Sequence, residues 1–201
     1  MNPSLLTPAE PIRTLRPAHS ALAYRTLALA FESDPVARWM FPGAGRYAHA
    51  FPSFCDLFAG RSLADGTARA TVGIRGVALW LAPGAEPDPV PLLAFLERNA
   101  SSDGLRHLPS LLGQMDELHP AEAHWYLPLV GVDPRRQGRG LGGTLLAEQL
   151  ERCDREGLAV HLESSSPRNV PLYRRHGFEP VGEIRAGNSP ALLAMTRPPR
   201  P

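Results

Sequence analysis

The stretch Val132-Asp133-Pro134-Arg135-Arg136-Gln137-Gly138-Arg139-Gly140-Leu141-Gly142-Gly143-Thr144 decides how this chain is read. Before it, residues 125–132 form a largely apolar run of strand length, broken only by Pro128. Proline cannot supply an N–H to a ladder, so a central strand with a local irregularity is expected. After it, residues 140–156 space Leu141, Leu145, Leu146, Leu150 and Cys153 as one face of a helix, with Gly157 as the C-cap. Glycines at 138, 140, 142 and 143 let backbone approach a ligand closely. The first amides of the helix, from about Gly140 to Thr144, lack intrahelical acceptors and sit at the positive end of the helix dipole. Such a site suits a diphosphate, and Arg135, Arg136 and Arg139 add positive charge beside it.

Outward from this unit, residues 159–163 read as a strand and 167–176 as a short helix closed by Gly177, with strands at 178–184 and 191–196. Upstream, residues 12–16 suggest a first strand, and 18–31, 36–41 and 46–58 suggest helices. Residues 67–71 and 76–81 read as a hairpin turned around Gly73. The four prolines of 82–91 make that segment a loop, and 92–98 and 105–118 suggest further helices, the second interrupted by Pro109 and Gly113. The fold class is α/β with a mixed central sheet, read as one domain over 1–201 without repeat or linker.

Composition narrows the chemistry. The 21 basic and 20 acidic side chains nearly cancel, which argues against nucleic acid or an anionic membrane as partner. The chain contains no Lys, which removes Schiff-base and phosphate-loop lysines. Cys55 and Cys153 read as buried thiols of a reducing compartment, and no apolar run approaches membrane-spanning length, so a cytoplasmic location is expected. Gly138-Arg139-Gly140 also opens a dinucleotide fingerprint, with Glu163 closing the next strand as a ribose ligand would. Against that reading, the unit lies near the end of the sequence, leaving no room for a second half.

At these residues the sequence resembles the GNAT acetyltransferases, whose pyrophosphate loop reads Gln/Arg-x-x-Gly-x-Gly/Ala; here it is Gln137-Gly138-Arg139-Gly140-Leu141-Gly142. Val130-Gly131-Val132-Asp133-Pro134 looks like the family's fourth strand, and Leu162-Glu163-Ser164-Ser165-Ser166-Pro167-Arg168-Asn169-Val170-Pro171-Leu172-Tyr173 like its second element. Phe31-Glu32-Ser33-Asp34-Pro35, Val77-Ala78-Leu79-Trp80 and His124-Trp125-Tyr126-Leu127 are similar to the puromycin N-acetyltransferase group. The resemblance implies a GNAT-like sheet whose fourth and fifth strands splay, with pantetheine in the gap against Val130 and Val132. It implies acetyl-CoA as co-substrate, held by Gln137, Gly138, Arg139, Gly140, Leu141, Gly142, Gly143, Thr144 and Asn169. It also implies Tyr173 near the departing sulfur.

Acetyl transfer needs no metal; it needs a base for the amine and an acid for the thiolate. Glu163 ranks first as base, on the expectation that burial raises its pKa, ahead of Glu117, His119 and His124. Tyr173 is the candidate acid. Trp39, Phe41, Tyr47, Phe51, Trp80 and Trp125 are candidates for an aromatic acceptor pocket. The expected partner is a small-molecule primary amine, with the protein a monomer or homodimer. A protein or peptide acetyltransferase and a non-catalytic acyl-CoA sensor stand as alternatives.

Overall fold

The computed structural model describes residues 11–200; the start of the lead sequence and Pro201 lie outside them. Strand β1 (Ile12–Thr14) is followed by helices α1 (Ser20–Ala30), α2 (Pro35–Met40), α3 (Ala44–Ala59) and α4 (Arg61–Ala64). The hairpin strands β2 (Arg69–Thr71) and β3 (Gly76–Leu81) come next, then α5 (Pro89–Asn99) and α6 (Ser102–Leu118). The carboxyl half is β4 (His124–Val132), α7 (Leu141–Glu156), β5 (Ala159–Ser164), α8 (Val170–Arg175), β6 (Glu179–Ile184) and β7 (Leu192–Arg197). The seven strands form one mixed sheet in the order β1-β2-β3-β4-β5-β7-β6, in which β4 and β5 alone run parallel.

Two expectations change in detail. Pro89 and Pro91 lie within the first turn of α5 and not in a loop, because an absent N–H costs nothing where no intrahelical acceptor exists; Asp88 caps the helix by accepting from Val90 N. Helix α6 runs through both Pro109 and Gly113 and begins at Ser102, where Ser101 Oγ accepts from Gly104 N at 2.9 Å.

Strand β4 carries the irregularity that positions everything else. Leu79 of β3 pairs with Leu129 and Leu81 with Tyr126, so Leu127 and Pro128 together oppose Trp80. That is a bulge, and it reverses which side chains face which layer. Trp125 and Leu127 pack with Leu145, Leu146 and Leu150 of α7, whereas Leu129, two residues on, packs with Leu27 of α1 and Phe51 of α3. The parallel ladder to β5 holds only at His124↔Ala159, Trp125↔Val160 and Tyr126↔His161. Beyond Tyr126 the two strands separate, and β5 stays paired on its other edge to β7. Gly131 allows α1 to close on this part of β4, since a Cβ there would lie 2.7 Å from that of Ala30.

The carboxyl-terminal layer is tied by a forked ion pair. Arg197 Nη1 and Nη2 each donate to one Asp154 oxygen at 2.7 Å, and its Nε donates to His176 O, joining β7, α7 and the end of α8. Among the described residues no helix is long and apolar enough to cross a membrane. Asp154→Asn leaves the Arg197 guanidinium, 3% exposed, without its counter-charge. Urea unfolding should show a loss of about 3–5 kcal/mol, against less than ~1 kcal/mol for breaking the exposed Arg61–Asp65 pair.

Candidate functional site

The Gly-rich loop folds as the sequence requires. Asp133 accepts from Arg135 N at 2.9 Å, and Gln137 Nε2 reaches back to Val132 O at 3.1 Å. Gly138 (φ 74) and Gly140 (φ 81) both take left-handed backbone, and the first bond of α7 runs from Thr144 N to Gly140 O. The amides of Leu141, Gly142 and Gly143 therefore precede any intrahelical acceptor and face an open groove of ≈ 890 Å³. Val130, Val132, Gln137, Gly138 and Asn169 also line this groove. Arg139 and Thr144 do not, and of the three loop arginines only Arg136 does; the other cations come from Arg168 and Arg175 across the gap.

A second cavity of ≈ 180 Å³ lies deeper, between the splayed strands and helices α2, α3, α5 and α6. Its walls are mostly apolar, among them Phe41, Phe51, Phe54, Phe58, Leu96 and Leu108. Five residues belong to both spaces: Phe31, Asp34, Val130, Asn169 and Tyr173. The cavities thus meet where β4 and β5 part.

Asp34 is the acidic group at this junction, and sequence reasoning passed over it. Its Oδ1 caps α2, accepting from Val36 N at 3.0 Å and Ala37 N at 2.9 Å, while Oδ2 accepts from Ser165 Oγ at 2.5 Å. Burial raises its pKa above the usual carboxylate range, and these three donors oppose the rise. The signal available in the sequence was Asp34-Pro35, a capping aspartate before a helix-opening proline, which reads as structure alone. Tyr173 lies at the same junction with its pKa pushed up by burial and then by the charge of Asp34, which keeps the phenol protonated. Its hydroxyl makes no hydrogen bond among the described residues, and its ring meets Phe178 edge-on at 6.0 Å.

Glu163 lines only the deep cavity and departs from expectation. Burial would raise its pKa, yet the value falls to about 2, because His119 and His161 both approach Oε1 and Tyr126 donates to Oε2 at 2.7 Å. A carboxylate held so firmly in its charged form is a weak proton acceptor. His119 Nε2 stands 3.0 Å and His161 Nε2 3.2 Å from the same oxygen. His124 is drawn in behind His119, with its pKa lowered by burial, whereas Glu117 takes no part.

Of the aromatic candidates, Phe41 and Phe51 line the deep cavity. Trp80 and Trp125 are core, Tyr47 is spent on Ala28 O, and Trp39 donates to Asn188. Phe54, Phe58 and Tyr126 join Phe31 and Tyr173 as further aromatic walls.

Residues 115–197 match the model of an acetyltransferase (GNAT) domain. An uncharacterized N-acetyltransferase of Schizosaccharomyces pombe is 34% identical over 115 residues, 51% of this chain and 47% of that protein. The chain spans about half the length of the curated relatives it matches. Among solved structures, one titled histone acetyltransferase HPA2 and related acetyltransferase from Corynebacterium glutamicum superposes with a TM-score of 0.68 at 27% identity, covering 96% of this chain and 98% of that one. Arylalkylamine N-acetyltransferase 2 from Aedes aegypti does so with a TM-score of 0.65 at 14% identity, over 94% and 99%, a likeness of fold.

The loop's demand for glycine at 140 is conformational and not steric, since a Cβ there would meet nothing within 4 Å. Gly140→Ala should lower unfolding free energy by about 1–2 kcal/mol in urea melts. Gly45→Ala, in α3 with equal room and ordinary φ, should be neutral or stabilising by up to ~1 kcal/mol.

Proposed function

We propose that this chain is an acetyltransferase of GNAT type and transfers the acetyl group of acetyl-CoA to the primary amine of a small hydrophobic molecule of arylalkylamine type. The observation that carries the proposal is the meeting of two unlike cavities at Asp34 and Tyr173. One is open, lined by backbone amides and arginines, and fits a diphosphate. The other is apolar and, at ≈ 180 Å³, smaller than the usual drug-sized site, which favours a compact amine over a peptide. Its few acidic groups also disfavour a polyamine, which would need a negative partner for each ammonium.

In this reading the diphosphate rests on the amides of Leu141, Gly142 and Gly143, with Arg136, Arg168 and Arg175 around it. Pantetheine runs along β4 between Val130 and Val132, where backbone has no partner on β5. The thioester then reaches the junction. Asp34, its pKa moved by burial toward the working range, takes the proton from the acceptor ammonium. The free amine attacks the carbonyl carbon, the C–N bond forms, and the tetrahedral intermediate collapses with cleavage of C–S. Tyr173 gives its phenolic proton to the leaving thiolate and regains one from the positively charged nitrogen of the intermediate, so that CoA thiol and a neutral amide leave. Asp34 replaces Glu163 as the base because burial prevails at Asp34 and raises its proton affinity, whereas the groups converging on Glu163 hold that carboxylate in its charged form.

The test is release of free CoA thiol from acetyl-CoA against phenethylamine, tyramine, tryptamine, puromycin, agmatine and spermidine. Arylalkylamines should give the highest kcat/KM; release with none would leave an acyl-CoA sensor as the better reading. Asp34→Asn keeps the cap on α2, since Asn caps as well as Asp. It should therefore unfold near the wild-type midpoint while kcat falls about 10²–10⁴-fold. Tyr173→Phe should keep acetyl-CoA affinity and lose kcat. The acid limb of the kcat profile should lie above the usual carboxylate range and vanish in Asp34→Asn. A large loss in Glu163→Gln beside a near wild-type Asp34→Asn would return the base to Glu163.

A further inference from the structure

We propose that His119, His161 and Glu163 form a binding site for one divalent transition-metal ion of borderline softness, with zinc as the natural occupant. The site lies at the foot of the splay and does not depend on the acetyltransfer reading. His161 and Glu163 project from one face of β5, two residues apart, and His119 follows the end of α6. Both imidazole Nε2 atoms aim at the same carboxylate oxygen, at 3.0 and 3.2 Å, and all three donor atoms lie within 4.8 Å of one another. Ligand atoms on a tetrahedral ion with bonds of 2.0–2.2 Å sit about 3.3–3.6 Å apart. A shift of a few tenths of an ångström brings the two close pairs to that spacing.

The outer hydrogen bonds set the histidines in the form a metal requires. His124 Nδ1 stands 2.8 Å from Glu122 O, which can only accept, so that nitrogen carries a proton. A neutral His124 then presents a bare Nε2, and His119 Nδ1, 3.3 Å away, must donate to it. In a neutral His119 this leaves Nε2 without hydrogen, facing Glu163 Oε1 lone pair to lone pair. A proton or a metal ion between them satisfies both. An added proton on the imidazole pair or the carboxyl satisfies that contact, but it leaves His161 Nε2 converging on the same oxygen for its own separate bond. One metal ion accepts all three donors together. Every ligand also has the outer partner that metal sites use to fix ring orientation: His161 Nδ1 on Thr196 Oγ1 at 2.9 Å, His119 on His124, and Glu163 Oε2 on Tyr126 OH at 2.7 Å. Entry is open from two sides, because the His119 side chain is 25% exposed and Glu163 lines the deep cavity.

The experiment uses chelator-stripped protein titrated with Co²⁺ at pH 7.5 and read by visible absorption. One equivalent should bind with the intense bands of a tetrahedral ion, be displaced by Zn²⁺, and weaken as the pH is lowered and protons compete for the imidazoles. Zn²⁺ should raise the melting temperature. His119→Gln and His161→Gln, checked for folding by circular dichroism, should each lower Co²⁺ affinity at least tenfold, while the exposed His49→Gln binds as wild type. His119→Gln keeps the question answerable if the buried His161→Gln fails to fold. Absence of a Co²⁺ spectrum with no Zn²⁺ shift in melting, meaning that the cluster holds a proton only, overturns the proposal. So does binding that is indifferent to His119.

Discussion

The structure turns on the bulge at Leu127 and Pro128. A parallel pair in the middle of a sheet normally runs its full length, because each unpaired backbone group in a buried place costs free energy. Here Pro128 brings no N–H to lose, and the extra residue opposite Trp80 rotates the rest of β4 onto the other face. The ladder to β5 ends at Tyr126, and the strands part around a space that begins inside the core and ends at the surface. Along Val130 to Val132 the edge of β4 that would meet β5 has no strand partner, and Gln137 Nε2 donates to the Val132 carbonyl there.

Around that gap the same physical terms give two carboxylates opposite characters. Asp34 and Glu163 are both buried, and burial alone pushes both upward. Asp34 has two of its three donors tied up in capping α2, and burial prevails. Glu163 is met by two imidazoles and a phenol, and the hydrogen bonds prevail. Position on a strand end beside a cleft, the reason for ranking Glu163 first, says nothing about which donors converge on it. That number is set by His119 and Tyr126, which reach Glu163 from elements distant in the chain.

The order of elements, the Gly-rich loop, the cap at Gly157 and the irregular central strand could all be read from local spacing. Each depends on contacts within a few residues: an orphan amide, a left-handed φ, a missing N–H. Arg168 and Arg175 could not be placed in the groove this way, since only the return of the chain after β5 carries them opposite Arg136.

What the sequence by itself determined is therefore the Gly-rich strand–loop–helix unit and the α/β framework around it, because short-range backbone geometry is written in Gly, Pro and apolar period. What only the tertiary structure decided is the chemistry of the interior. Asp34 drew no attention in the sequence, and its place beside Ser165 and Tyr173 appears only once α2 is set against them. His119 and His124 ranked behind Glu163 as candidate bases and His161 was not singled out; β4, β5 and the end of α6 bring all three together around Glu163. Proton affinity is fixed by burial and by neighbours a few ångströms away, and folding alone chooses those neighbours.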